Sequence, residues 1–328
     1  GYDMDVVHLE DLAVRSDEKN TSNALVRGVA ARFAALGFPA GGFDAYTTSD
    51  VLKGSGLSSS AAYEVLIGTI ISSLFHPRQV DAVQIAQIAQ YAENVYFGKP
   101  SGLMDQMASS FGGFIIIDFQ DIEHPVIEPV AFDFQHCGHA LCIVDTGGNH
   151  ANLTPDYASI PEEMKSVAKA LGVSVLRQTS REALLRQLPQ VRTVCSDRAI
   201  LRAFHFFADN DRVLQQAQAL RAGHFEEFKQ LVLASGRSSF MYNQNAFTTQ
   251  NPAEQGISLA LAIAEAILGT EGAYRVHGGG FAGTIQAFVP FSLLDTFRSE
   301  RKAVFGGNCC YTLSIRPYGS IRVADLLS

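Results

Sequence analysis

Two kinds of hydrophobic pattern alternate along the chain. Residues 61–74 are apolar on nearly every face, which predicts a helix buried all round. From about Val80 to Phe97, the positions Ile85, Ile88, Ala92 and Val95 recur at intervals of three, four and three. That is one stripe of an amphipathic helix. Gly98-Lys-Pro100 predicts its end, with a glycine cap and a proline that cannot continue the helix. Phe43-Asp-Ala-Tyr-Thr-Thr48 is β-favouring with apolar alternation at its start, so it reads as a strand. The runs Gly113-Phe-Ile-Ile-Ile-Asp118 and Ala140-Leu-Cys-Ile-Val-Asp145 read as buried strands. Pro161 with Glu162 and Glu163 predicts a helix start, Gly172 its close, and the chain stays mostly helical to about Arg237. Ile257, Leu261, Ala264 and Leu268 mark a further helix. Strands are expected at 274–276, 284–289 and 312–316, and a domain change near residues 135–155.

Composition narrows the class. The 328 residues call for about two domains, and 47% hydrophobic against 18% charged residues supports packed cores rather than disorder. The 25 basic and 33 acidic residues leave a net charge of −8, which repels phosphate backbones, so no nucleic-acid partner is expected. No apolar run reaches about 18 residues, and no cationic segment followed by an apolar stretch opens the chain, so neither membrane insertion nor export is expected. Five cysteines, an odd number without a C-x-x-C pair, fit a reducing cytoplasm. Adjacent Cys309 and Cys310 read as packing residues on opposite strand faces.

Three short segments carry the candidate chemistry. Gly54-Ser-Gly-Leu-Ser-Ser-Ser-Ala-Ala62 leads from a predicted strand into the buried helix, placing free backbone N–H groups at a helix N-terminus that binds anions without a basic residue. No Gly-Lys-Ser/Thr follows, so it is not a Walker A loop, and Ser60 stands where a G-x-S-x-G elbow needs glycine. The plainer alternative is a linker or simple N-cap. Glu93 and Asp105, twelve positions apart, supply the two acidic functions that phosphoryl transfer asks for: one near a metal, one accepting a proton. Capping or salt bridging is the alternative. Gly278-Gly-Gly280 is either a tight turn or a second loop of close approach. His136, Cys137, His139 and His150 lack a recognised zinc-ligand spacing.

Taken in order, these segments resemble the GHMP small-molecule kinases, and within them the galactokinase branch. The matching stretches are 54–62 with Glu64-Val65, Ala92-Glu93-Asn94, Gly102-Leu-Met-Asp-Gln106, Asp145-Thr-Gly-Gly-Asn-His150 with Tyr157, Arg202-Ala-Phe-His205 with Asn210-Asp-Arg-Val213, and Gly278-Gly-Gly-Phe-Ala-Gly283. The resemblance implies an α+β, two-domain GHMP kinase fold: a domain like ribosomal protein S5 domain 2 over 1–140 for nucleotide binding, and a ferredoxin-like domain over 141–328. It implies ATP, Mg²⁺ and a small-molecule sugar whose anomeric hydroxyl, if the sugar is galactose, receives the γ-phosphoryl group. Position by position, Gly54, Ser55, Gly56, Leu57, Ser58, Ser59 and Ser60 would wrap the phosphates. Ser59 and Glu93 would hold the metal, and Asp105 would be the base. Gly102, Asp105 and Tyr157 would contact the sugar, and Gly278, Gly279 and Gly280 would brace the phosphate end.

Two features depart from that pattern. The branch's N-terminal Gly-Arg-x-Asn-Leu-Ile-Gly-Glu-His-Thr-Asp segment, whose arginine assists transfer and whose acids and histidine grip the sugar, has no match here. Ser239-Phe-Met-Tyr-Asn-Gln-Asn245 stands in place of an Arg-Asp-Asp-Tyr-like stretch. The alternatives are a kinase for a related sugar or sugar acid, and a non-catalytic nucleotide or sugar sensor on the same fold.

Overall fold

The computed structural model describes residues 4–51, 57–148 and 153–327. The chain divides into two compact units, Gly1–Ile115 with Ile315–Ser328, and Ile116–Ser314. This division assigns residues 116–140, expected from sequence with the first domain, to the second unit. Phe134, buried against Phe225 and Phe288, packs that stretch into the second unit, and the exposed ion pairs Arg177–Asp118 at 2.7 Å and Arg221–Glu128 at 3.0 Å add to it.

The first unit is built on helices α1 (Ser22–Ala35), α2 (Ser59–Phe75), α3 (Ala82–Tyr91) and α4 (Met104–Phe111). α3 starts at a reciprocal capping box between Asp81 and Gln84. It runs into a wider π-helical turn, Ala92–Phe97, that ends at Gly98 with φ 83°. The amides of Gly98 and Lys99 both bond back to the Glu93 carbonyl at 3.0 and 3.1 Å, so the widening of the helix falls on Glu93, and such turns recur at functional sites. Val29, Phe33, Val65, Ile71, Ile85, Ile88 and Ala92 form the shared core. The expected strand at 43–48 is not formed among the described residues: 44–50 are exposed and are neither helix nor strand, while Phe43 sets its ring against Phe75 of α2.

The second unit contains a four-stranded antiparallel sheet, formed by β3 (His139–Asp145), β4 (Ala273–Val276), β5 (Thr284–Pro290) and β6 (Cys310–Leu313) in the spatial order β4-β5-β3-β6. The preceding strands β1 (Phe114–Asp118) and β2 (Val126–Val130) make a separate two-stranded sheet. Within the four-stranded sheet the chain order of the strands, with helices after the first and third, is the ferredoxin-like arrangement. β3 pairs with β5 from His139↔Pro290 to Asp145↔Thr284. One helix, α9 (Gly256–Leu268), packs Ile257, Ala260, Ala264 and Leu268 on the sheet. The helices α5 (Thr154–Ala170), α6 (Arg181–Val194), α7 (Asp197–Arg221) and α8 (Phe225–Ser238) precede it, and α10 (Leu294–Phe305) follows β5.

Pro161 does not open α5. That helix starts seven residues earlier at Thr154, with Pro155 in its first turn and Pro161 inside it, so an N-terminal proline signal was present but belonged to the other proline. All five cysteines are free, and no helix among the described residues is long and apolar enough to cross a membrane.

α1 sets the position of the π-helical turn through Gly28, where an added Cβ would stand 2.8 Å from the Ala92 Cβ and 2.9 Å from its Cα. Helix propensity by itself favours Gly28→Val by about 0.5 kcal/mol. Overpacking against a backbone atom costs about 1–3 kcal/mol and decides the sign. Gly28→Val is therefore expected to lower the urea midpoint of unfolding, and an unchanged or raised midpoint contradicts this packing.

Candidate functional site

The Gly/Ser loop reaches α2 through Ser58, whose backbone sits in the left-handed region at φ 53°, ψ 54°. That is an uncommon place for a residue with a side chain. Ser58 does not cap the helix; its hydroxyl bonds the Asp105 carboxylate. The first α2 amide to find its helical acceptor is that of Ala62, on the Ser58 carbonyl at 3.1 Å, so the amides of Ser59, Ser60 and Ala61 precede the ladder. Gly54, Ser55 and Gly56 lie outside the described residues, and Leu57 is half-buried at the edge of them.

Two turns of chemistry meet at this helix end. Asp105 and Gln106 are successive residues of α4 and so point about 100° apart: Asp105 is exposed, Gln106 completely buried. Glu93, 2% exposed, accepts from the Ser60 hydroxyl at 2.7 Å, the Lys99 ammonium at 3.1 Å and the Gln106 amide at 2.8 Å. Burial alone would lift the Glu93 pKa, but hydrogen bonds from Ser60, Ser101 and Lys99 outweigh it and hold the carboxyl below its usual value. Glu64, on α2 and fully buried, receives only a long contact of 3.4 Å from the same Gln106 amide. Burial first, and then the charge of Glu93, push its pKa up to about 8. Asn94 clamps the following loop, accepting from the Ser101 amide at 2.6 Å; Gly102 comes next and is exposed.

The second unit holds a constellation of its own. The Tyr157 hydroxyl donates to the Gly280 carbonyl at 3.0 Å, and burial keeps that phenol protonated by raising its pKa. Gly278 and Gly280 have φ of 65° and 81°, and a Cβ on Gly280 would lie 2.0 Å from the Asn245 carbonyl oxygen. A tight turn and a close approach are thus both required here. Asn245 also donates to the Gly279 carbonyl at 3.1 Å and accepts from Ser239 at 2.6 Å. The divergent stretch 239–245 is therefore what seats the glycine loop. Arg202, buried on α7, binds Ser159 and Glu163 of α5 and the Asn243 carbonyl, tying the helix that carries Tyr157 to the same stretch.

The structure thus joins Ser58 to Asp105 and Tyr157 to Gly280. The hydroxyl at Glu93 is that of Ser60; Ser59, expected there from the motif, is one residue and about 100° away on the helix. Sequence reasoning missed Lys99, Gln106, Asn245 and the role of Glu64. The available signal was a lone acid, Glu64, inside an otherwise apolar helix.

Comparison with known proteins gives one account. Residues 24–113 match the N-terminal domain of GHMP kinases. The chain is 37% identical over 282 residues to the galactokinase of Mycobacterium tuberculosis (strain ATCC 25177 / H37Ra), covering 83% of this chain and 71% of that protein. It is 31% identical over 260 residues to the galactokinase of Actinobacillus pleuropneumoniae serotype 5b (strain L20), covering 78% and 64%. Among solved structures, Lactococcus lactis galactokinase complexed with galactose superposes with a TM-score of 0.75 at 22% identity, over 94% of this chain and 78% of that one.

The buried acid at Glu64 makes stability depend on pH. Its folded pKa, about 8, lies above the ordinary 4.5. Between those values the folded chain holds a proton that the unfolded chain has released, so stability is full below about 4.5 and falls as pH rises to about 8. Urea midpoints measured across this range without metal or nucleotide are expected to show that fall, and Glu64→Gln to remove about one proton from the slope. Identical slopes for the two proteins contradict it.

Proposed function

This chain belongs to the galactokinase family of the GHMP kinases, and on that footing we propose that it transfers the γ-phosphoryl group of ATP to the anomeric hydroxyl of galactose. Asp105 takes the hydroxyl proton as the sugar oxygen attacks the γ-phosphorus, and the bond to the β-phosphate oxygen breaks to release ADP. The amides at the start of α2 and the dipole behind them receive the phosphates. Tyr157 serves the sugar, and the glycine loop seated by Asn245 serves the phosphate end.

The single observation that carries this reading is that the first turn of α2 delivers one serine to each carboxylate: Ser58 to Asp105, Ser60 to Glu93 at 2.7 Å. A linker or an ordinary cap has no reason to meet two acids 47 and 33 positions away. The same geometry fits Mg²⁺. A hydroxyl and a charged carboxylate are hard oxygen donors, and a cation, the Lys99 ammonium, already lies against Glu93. Among the described residues no cluster of three or more His, Cys, Asp or Glu side chains could hold a metal. Two protein oxygens completed by phosphates and water is the way Mg²⁺ is usually held. Ser60 and Glu93 would hold it, and the charge it supplies is that which offsets the transferring phosphoryl oxygens. Five free cysteines accord with a cytoplasmic location.

Asp105→Asn is expected to lower kcat about 10²- to 10⁴-fold while leaving ATP affinity within a few-fold; near-parental turnover removes Asp105 from the step. Mg-ATP at about 100 times its Kd is expected to add about 2.7 kcal/mol of stability, read as a rise in Tm. No rise at millimolar nucleotide contradicts a phosphate site at α2.

A further inference from the structure

Glu93, Gln106 and Glu64 come from three different elements, the π-helical turn, α4 and α2, and converge with exposures of 2%, 0% and 0%. Their company is unequal on the two sides of Glu93. Its Oε1 takes the Ser60 hydroxyl and the ammonium of Lys99, a side chain 60% exposed, while its Oε2 takes the buried Gln106 amide at 2.8 Å. One carboxylate oxygen therefore faces the solvent side and the other is held from the interior. The Gln106 amide has its orientation dictated by counting donors. Turned over, its carbonyl would face the Glu93 carboxylate, which has no hydrogen to offer; as it stands, its Nε2 donates to Glu93 and lies 3.4 Å from Glu64. Two buried oxygens are left over, the Oε1 atoms of Glu64 and of Gln106, one on each of two side chains already in contact. Of these two side chains only Glu64 can gain a hydrogen to donate, since the Gln106 carbonyl oxygen is an acceptor in any state.

We propose that Gln106 and Glu64 are a positioning pair for Glu93: Gln106 grips the inner carboxylate oxygen, Glu64 locks the Gln106 amide, and the outer oxygen is thereby aimed at the divalent cation. This rests on the reading of Glu93 as a metal-holding residue and assigns neither Gln106 nor Glu64 any contact with substrate. Partners of this kind behind a metal ligand, when removed, typically cost 10- to 100-fold in metal affinity. A purely structural role would instead lower Tm and leave the metal dependence alone.

The test is the factor by which Mg²⁺ tightens ATP binding to the full chain, from calorimetric titrations with ATP in excess Mg²⁺ and in chelator. Glu93→Gln is the reference for loss of that factor. Gln106→Leu and Glu64→Leu are expected to lose about tenfold or more of it, with metal-free ATP affinity within about two-fold of the parent. Glu64→Gln, which keeps a donor beside Gln106, is expected to retain it. Gln106→Met replaces Gln106→Leu if the latter does not fold. A full Mg²⁺ effect in the Gln106 variant, when Glu93→Gln has lost it, overturns the pair and leaves the metal reading standing. Glu64→Gln as damaging as Glu64→Leu overturns it too. A Glu93→Gln variant with the parental Mg²⁺ effect brings down the metal reading and the pair together.

Discussion

A carboxyl group removed from water must collect hydrogen-bond donors or surrender its charge, and the first unit is arranged around that constraint. Glu93 collects its donors from the start of α2, from the loop after the π-helical turn and from α4. Glu64, a neighbour in the same interior, shares one amide and is pushed toward the neutral form. Burial pushes both acids toward the neutral form; donors hold the charge on Glu93, and that charge together with burial pushes Glu64 the other way. The metal role proposed for Glu93 depends on its being the one of the two that received them.

The backbone explains how such donors arrive. Ser58 occupies a left-handed conformation and leaves α2 uncapped, so its hydroxyl is free to meet Asp105 and the first amides stay outside the helical ladder. Glu93 continues the line of α3, and the π-helical turn after it brings the chain back so that Lys99 reaches its carboxylate. Gly28 lets α1 approach Ala92 closely enough to support that turn. Each is a local departure from the regular pattern, and each is used by a side chain of the site.

Much of this was legible in order along the chain. The mostly apolar 61–74 segment and the stripe of Ile85, Ile88 and Ala92 point to α2 and α3, and Gly98 marks the end of the π-helical turn that continues α3, because helix periodicity is a local property. The phosphate-type loop and Glu93 with Asp105 were readable as a motif. Other features depend on contacts that periodicity does not record. Residues 43–48 have strand-like composition, but composition records a preference and not the long-range pairing that makes a strand. The choice between Ser59 and Ser60 turns on the rotation of one helical residue. Gln106 and Glu64 meet across 42 positions, and Asn245 seats Gly279 across 34. No local pattern foretells pairings of that span.

Lys99 gives the site one further property. Its ammonium lies on the same Glu93 oxygen that Ser60 touches, so under the metal role proposed for Glu93 a divalent ion would meet a resident monovalent charge rather than a vacant seat. Affinity at that oxygen would then be an exchange constant, the difference between two cations drawn to one negative charge. Neutralising the lysine would make the apparent metal affinity rise even as the empty protein loses a counter-charge.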